Sequence, residues 1–243
     1  MEKETVEQSA VSLEVTVMPC VSFATHSNYV PLVRRVLAKN VSGRDLSSLT
    51  LRIDAEPEFS SSYVCALGDL QKDDFIEVTD ISMPLRGSYL YSLTERLTGT
   101  LAFTVTSEDE TVEKKEFPVE LLTCGDWSLS RSMPEIVTAF VMPNHPVVAS
   151  IIRGAAEYMK KWTGHASFAG YTTKNPNDIR LTMAAIYAAI SSLDITYSLM
   201  PPNFTKSYQR LRLPDDIAKG RVANCLDMTL LYCACLEAAS LNP

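Results

Sequence analysis

The 243-residue chain has no uninterrupted apolar run near the roughly 18 to 20 residues that a helix needs to cross a bilayer. Its first residues, MEKETVEQSA, are acidic and polar where a secretory signal is basic and then apolar. A cytoplasmic protein, or a piece cut from a longer one, is expected, with no membrane partner. Basic clusters are lacking too: 22 Lys and Arg against 29 Asp and Glu leave a formal charge of −7, and the cations are spread along the chain. Nothing there matches the footprint of a phosphate backbone, so direct nucleic-acid binding is not expected. No pair among Cys20, Cys65, Cys124, Cys225, Cys233 and Cys235 has zinc-ligand spacing. Cys233 and Cys235 stand two apart on what reads as a helix, where their side chains diverge. Free thiols in a reducing compartment are the simpler reading, and no metal or other cofactor is expected. There is no internal repeat and no low-complexity segment.

What is present divides near the middle, as expected for a chain of this length. From Ser12 to about Cys124 runs of strand character follow one another: LEVTVM, YVPLVRRVLA, LSSLTLRI, SYVCALGDL, FIEVTDISM, GTLAFTVTS and EKKEFPVELL. Leu101, Phe103 and Val105 alternate with Ala102, Thr104 and Thr106, the period of a sheet with one buried face. Asn40-Val41-Ser42-Gly43 and Ser107-Glu108-Asp109-Glu110 are turn candidates. The spacing predicts an immunoglobulin-like β-sandwich over residues 1–126, giving an α+β chain as a whole.

Past Trp127 the composition changes. Pro134, Pro143 and Pro146 punctuate a connector, and three helical patterns follow without intervening strands. In the first, Pro146 suits the opening turn, Val147, Ile151, Ala155, Tyr158 and Met159 share a face with Trp162 beyond, and Gly164 stops the helix. The second begins around Pro176, with Asp178 in its first turn, and carries Ile179, Met183, Ile186, Tyr187 and Ile190. The third runs from Asn224 to about Ala239. Residues 127–243 are therefore expected to form an α-rich part. Trp127 and Trp162 are expected in the core, and Asp215 and Asp216 read as the acidic first turn of a short helix after Pro214.

Chemistry concentrates at the start of the third helix. Asn224 is a good N-cap, and Asp227, three residues on, completes a capping box. Cys225 then takes the first helical position, where unpaired amides and the positive helix end favour a thiolate. Amides at the same end are placed to hold an oxyanion. A cysteine nucleophile also needs a base, and the three histidines, His26, His145 and His165, lie in the β part, in the connector and at a helix end. The alternative role for Cys225 is that of a small residue packed at a helix start.

The segments AFVMPNHPVV, IYAAI with ITY, QRLRLPDDI and NCLDMTLLYCACLEAASLNP resemble the N-terminal region, a domain of unknown function, of large bacterial superfamily-one helicase-like proteins. The block from Gln209 to Pro243 also resembles the transglutaminase-like, papain-related superfamily. That resemblance implies that Cys225 is the nucleophile and Asp227 the acidic residue that supports the helix start. Ala223 stands where the related helicase-like proteins have glycine. Gln209 invites comparison with a papain-type oxyanion glutamine but lies well before Cys225. No residue matches the family histidine or its acid partner, because the sequence ends at Leu241-Asn242-Pro243, where the next strand would begin. The resemblance thus implies the helical front part of a transglutaminase-like domain, truncated and without its base.

Together these features lead to an expected accessory module of a larger helicase-like protein, for recognition or regulation, with a cysteine peptidase- or acyltransferase-like site that is incomplete in this chain. The competing expectation is a purely structural interaction module whose cysteine does no chemistry. Expected partners are downstream domains of the same protein, another protein reached through an exposed edge strand, or a second copy joined through an uncovered helix face.

Overall fold

The computed structural model describes residues 9–108, 110–128, 134–198 and 208–242, so the N-terminal octet and Asp109 of the second turn candidate lie outside the described residues. The chain is mixed α+β and separates into two compact units, Met1–Cys124 and Gly125–Pro243.

Among the described residues the first unit holds eight strands: β1 (Val11–Val17), β2 (Cys20–Val21), β3 (Val33–Asn40), β4 (Leu46–Glu56), β5 (Tyr63–Leu70), β6 (Phe75–Val78), β7 (Leu97–Ser107) and β8 (Glu110–Leu121). They form a three-stranded sheet in the order β1-β3-β6 and a five-stranded sheet in the order β2-β8-β7-β4-β5. All neighbours are antiparallel except β2 and β8, which run parallel. The alternation read along β7 is present: Leu101, Phe103 and Val105 are each 0% exposed while the residues between them are half-buried. On β4 the inward set is Leu49, Leu51 and Ile53, and on the smaller sheet it is Leu13, Val36 and Ala38. Each side chain of these sets removes an apolar group from water at about 25 cal/mol per Å² buried, which is what fixes strand register.

Two features of this unit escape a reading of strand patterns. A five-residue helix, α1 (Phe23–Ser27), is closed by a capping box between Ser22 and Thr25, and α2 (Gly87–Ser92) packs beside it. The Asn40 turn is held from within: the buried Asn40 amide donates to the carbonyls of Arg44, Leu70 and Gln71 at 2.7, 3.0 and 3.0 Å. Its Oδ1 accepts from the backbone N–H and the hydroxyl of Ser42 at 3.0 and 2.7 Å, and Gly43 supplies the positive φ of 78° that the turn needs.

The second unit is built on α3 (Pro146–Thr163), α4 (Pro176–Ser191), α5 (Pro214–Gly220) and α6 (Cys225–Ala238). Caps explain their ends. The His145 ring accepts from the Val147 amide with Pro146 at the first position, Gly164 closes α3 in the left-handed region, and the Asn175 side chain caps α4. The core joins Ile151, Ala155 and Met159 of α3 with Ala185, Ile186 and Ala189 of α4, Ile217 of α5 and Leu231 and Cys235 of α6. Small residues bring α3 and α4 close: a Cβ on Gly154 would stand 3.5 Å from the Ala189 Cβ.

The helices are not free of strands, as the sequence pattern had suggested. β9 (Asp126–Ser128) pairs antiparallel with β11 (Tyr208–Arg210), and β10 (Thr196–Tyr197) pairs parallel with β12 (Val222–Ala223). Runs of two or three residues carry no period, which is why they cannot be read from the sequence. Trp162 is a second departure: it is 45% exposed, on the last turn of α3 beside Tyr158 with ring centroids 5.6 Å apart, rather than in the core. Trp127 is half-buried on β9, and its indole N–H is enclosed without a partner among the described residues.

Candidate functional site: the start of helix α6

Three residues place Cys225. β12 delivers the chain to Asn224, whose side-chain oxygen accepts the Asp227 N–H at 2.9 Å. The Asp227 carboxylate answers by accepting the Asn224 N–H at 3.0 Å, closing the capping box expected from the spacing. Arg212, at the end of the segment that leads into α5, adds two more donors. Its backbone N–H reaches Asp227 Oδ1 at 3.0 Å and its guanidinium Nη1 reaches Oδ2 at 3.1 Å. The Asp227 side chain is 0% exposed and that of Arg212 24%, so the carboxylate is enclosed and charge-compensated. Asp227 is thus the support of the helix start.

Cys225 itself is exposed and unbridged, and its carbonyl accepts the Thr229 hydroxyl at 2.8 Å. Along α6, Cys225, Met228, Thr229 and Tyr232 follow one another at helical spacing on one face. The last three of these border an open cavity of about 600 Å³, together with Met183, Tyr187 and Ile190 of α4 and Ile195 ahead of β10. The Tyr232 hydroxyl crosses to the Met183 carbonyl at 3.1 Å and fixes one wall; burial first, then the neighbouring cysteines Cys235 and Cys233, raises the pKa of this phenol. The α4 face read from the sequence is therefore split. Ile186 and Ile190 enter the core, whereas Met183 and Tyr187, 38% and 68% exposed, turn toward the cavity.

The other cysteines are separated by environment. Cys235 is in the core, where burial pushes its thiol up to about 12, and burial also raises Cys233. All six are free.

No histidine makes a hydrogen bond to Cys225 among the described residues. His145 caps α3 through Nδ1 at 3.2 Å, with its Nε2 3.9 Å from Asp215 Oδ2. His165 Nδ1 lies 3.1 Å from the Ser167 hydroxyl, and His26 packs on Gly87 in the first unit. Asp215 and Asp216 form the acidic first turn of α5, and the Leu213 N–H donates to Asp216 at 3.3 Å. Gln209 is on β11 opposite Trp127. No group of three or more metal-ligating side chains occurs among the described residues, and no helix there is long and apolar enough to cross a membrane.

No family model and no curated protein matches the chain. Solved structures give distant likenesses. The CARDB domain of a Pyrococcus furiosus protein, determined in complex with di-metal ions, is 15% identical, covers 48% of this chain and 90% of its own, and has a TM-score of 0.31. A family 76 glycoside hydrolase from a bovine Bacteroides thetaiotaomicron strain is 10% identical, with 94% of this chain and 49% of that one covered and a TM-score of 0.21. Likeness at this level assigns neither fold nor function.

Proposed function

We propose that this chain is an accessory recognition or regulatory module of a larger, cytoplasmic helicase-like protein, bearing at Cys225 a thiol site that is incomplete without residues from elsewhere. Its first unit is read as an immunoglobulin-like β-sandwich and its second as the front part of a transglutaminase-like domain. The observation that carries the reading is the pairing of an exposed cysteine at a capped helix start with an open apolar cavity along the same helix face. A thiol there meets an acyl or peptidyl group whose apolar part occupies the cavity, while helix amides face the developing oxyanion.

Further support comes from the composition of α6. Its sequence, CLDMTLLYCACLEA, is apolar on nearly every side, which is the pattern of a helix enclosed by its domain, yet Met228 and Tyr232 border open space. Downstream domains of the same protein are the partner this reading assigns to that face.

Without a base the site forms a covalent adduct but does not turn over. With an activated aryl ester the thiolate attacks the carbonyl carbon, a C–S bond forms, and the aryloxide leaves. Peptide mass spectrometry is expected to find stoichiometric acylation at Cys225, absent in Cys225→Ser, with no sustained aryloxide release. Sustained turnover that depends on Cys225 would contradict an incomplete site. A second reading, an interaction module whose cysteine does no chemistry, is favoured by the engagement of His145 and His165 elsewhere; it predicts no acylation at Cys225 beyond that at Cys233.

A further inference from the structure

We propose that the first unit pairs with a second copy of this chain through the free edge of β5, strand against strand and antiparallel, about a two-fold axis at Cys65. The inference is independent of the thiol site at α6.

β5 ends the five-stranded sheet, and among the described residues no backbone hydrogen bond joins it to any strand but β4. The open rim is bounded at both ends. Upstream, Ser60 bridges Leu85, and the Ser61 N–H donates to the Pro84 carbonyl at 3.2 Å. Downstream, Gly68 turns the strand at a φ of 78°, where its register against β4 shifts. The rim between holds the run Tyr63-Val64-Cys65-Ala66-Leu67, which has no charge and no proline.

Sheet edges are ordinarily blunted by charge, by proline, by shortness or by cover, because their unpaired N–H and C=O groups are a template for another strand. The other edges of this unit are blunted. β2 has two residues, and β1 is covered where the Lys115 ammonium donates to the Leu13 carbonyl at 2.8 Å. β6 follows Asp73 and Asp74 and carries Glu77, paired with Arg35. β5 is the edge left as a template.

The run is complementary to itself. A two-fold axis at Cys65 sets Val64 opposite Ala66 of the second copy, Tyr63 opposite Leu67, and Cys65 opposite its own equivalent. The exposed positions Val64 and Ala66 thus meet each other, and the less exposed Tyr63, Cys65 and Leu67 meet on the other face. Asp69 falls opposite Ser61, past the paired run, so no like charges are opposed. An axis farther along brings in Gly68 and Asp69; one farther back meets the Ser60 bridge. Five residues a side are few beside the roughly 20 to 30 of a standard interface. The pairing is therefore transient in dilute solution, and trapping reads it better than mass.

Cys65 supplies the trap. Residues directly opposite in an antiparallel pair have Cα atoms roughly 4.5 to 5.5 Å apart, inside the range of about 4.4 to 6.8 Å that a disulfide spans. In the whole chain carrying Cys225→Ser, copper(II) phenanthroline takes two electrons from each thiol pair and water takes the two protons. Peptide mass spectrometry is expected to find a symmetric Cys65–Cys65 link. Val64→Lys/Ala66→Lys opposes like charges twice across the axis and is expected to slow trapping by about tenfold. Val64→Glu/Ala66→Lys opposes unlike charges at the same two places and is expected to stay within about twofold of the parent. Absence of the link, equal trapping with the lysine pair, or a Glu/Lys variant as slow as the lysine pair would overturn the proposal. If the lysine pair unfolds the unit, amide exchange over Val64–Leu67 of the parent decides: it must slow as protein concentration rises, and exchange indifferent to concentration overturns the pairing.

Discussion

Asp227 has its carboxylate enclosed, with three N–H donors on two oxygens. Replacing it by alanine leaves the Arg212 and Asn224 amides without acceptors and a partly enclosed guanidinium without its counter-charge. Asp227→Ala is expected to cost roughly 3 kcal/mol of stability in urea unfolding, the scale set by breaking an enclosed ion pair. A loss within the ±0.5 kcal/mol typical of plain surface changes would mean that the carboxylate is not a keystone of the turn. At this scale half of the site was legible. Asn224 and Asp227 stand at the spacing of a capping box, a local rule that needs only four consecutive residues. Arg212 was not legible, because the pairing links segments fifteen residues apart and no local period encodes it. Trp162 shows the opposite error: it lies on the apolar stripe of α3, but the helix outruns the core on its last turn, so periodicity placed inside a ring that stands outside.

Helices whose ends are set by proline, asparagine and glycine were readable to within a residue: α3 stops before Gly164, α4 opens at Pro176, and α6 begins after Asn224. Their inner faces were less so. On α4 the bulky residues Met183 and Tyr187 suggested the buried stripe, yet Thr182, Ala185 and Ala189 occupy it. Close packing of α3 against α4 through Gly154 admits only small side chains there, and the large ones rotate to the flank. The strands of the first unit were legible where alternation runs for five or more residues, as on β4 and β7. The exceptions are β2 in that unit and β10 and β12 in the second, each of two residues and each defined by its partner strand rather than by its own composition. Ser48, at a φ of 54°, marks where the β4 register shifts against β5, another feature without a sequence period.

Each of the two compact units carries a hydrophobic core of its own. The apolar surface at Met183, Tyr187, Met228 and Tyr232 is the feature most open to a partner at this scale. Besides the downstream domains proposed for it, a second copy of the chain is a partner that light scattering detects. The expected result is a concentration-dependent rise above the monomer mass that Tyr187→Glu abolishes, because a carboxylate enclosed without a partner is strongly disfavoured. A strict monomer at high concentration, or a dimer indifferent to Tyr187→Glu, would count against that use of the face.

The exposed thiol at the start of α6 is the point on which the functional reading turns, and its alkylation as a function of pH tests it most directly. Peptide mass spectrometry compares Cys225 with Cys233 and Cys235 in the same sample. Cys225, exposed at the helix start, is expected to label first and selectively, while Cys235, pushed up to about 12, stays protected until the chain unfolds. Slow labelling of Cys225, undifferentiated from Cys233, would contradict a thiol site and leave the chain an interaction module whose cysteine only packs.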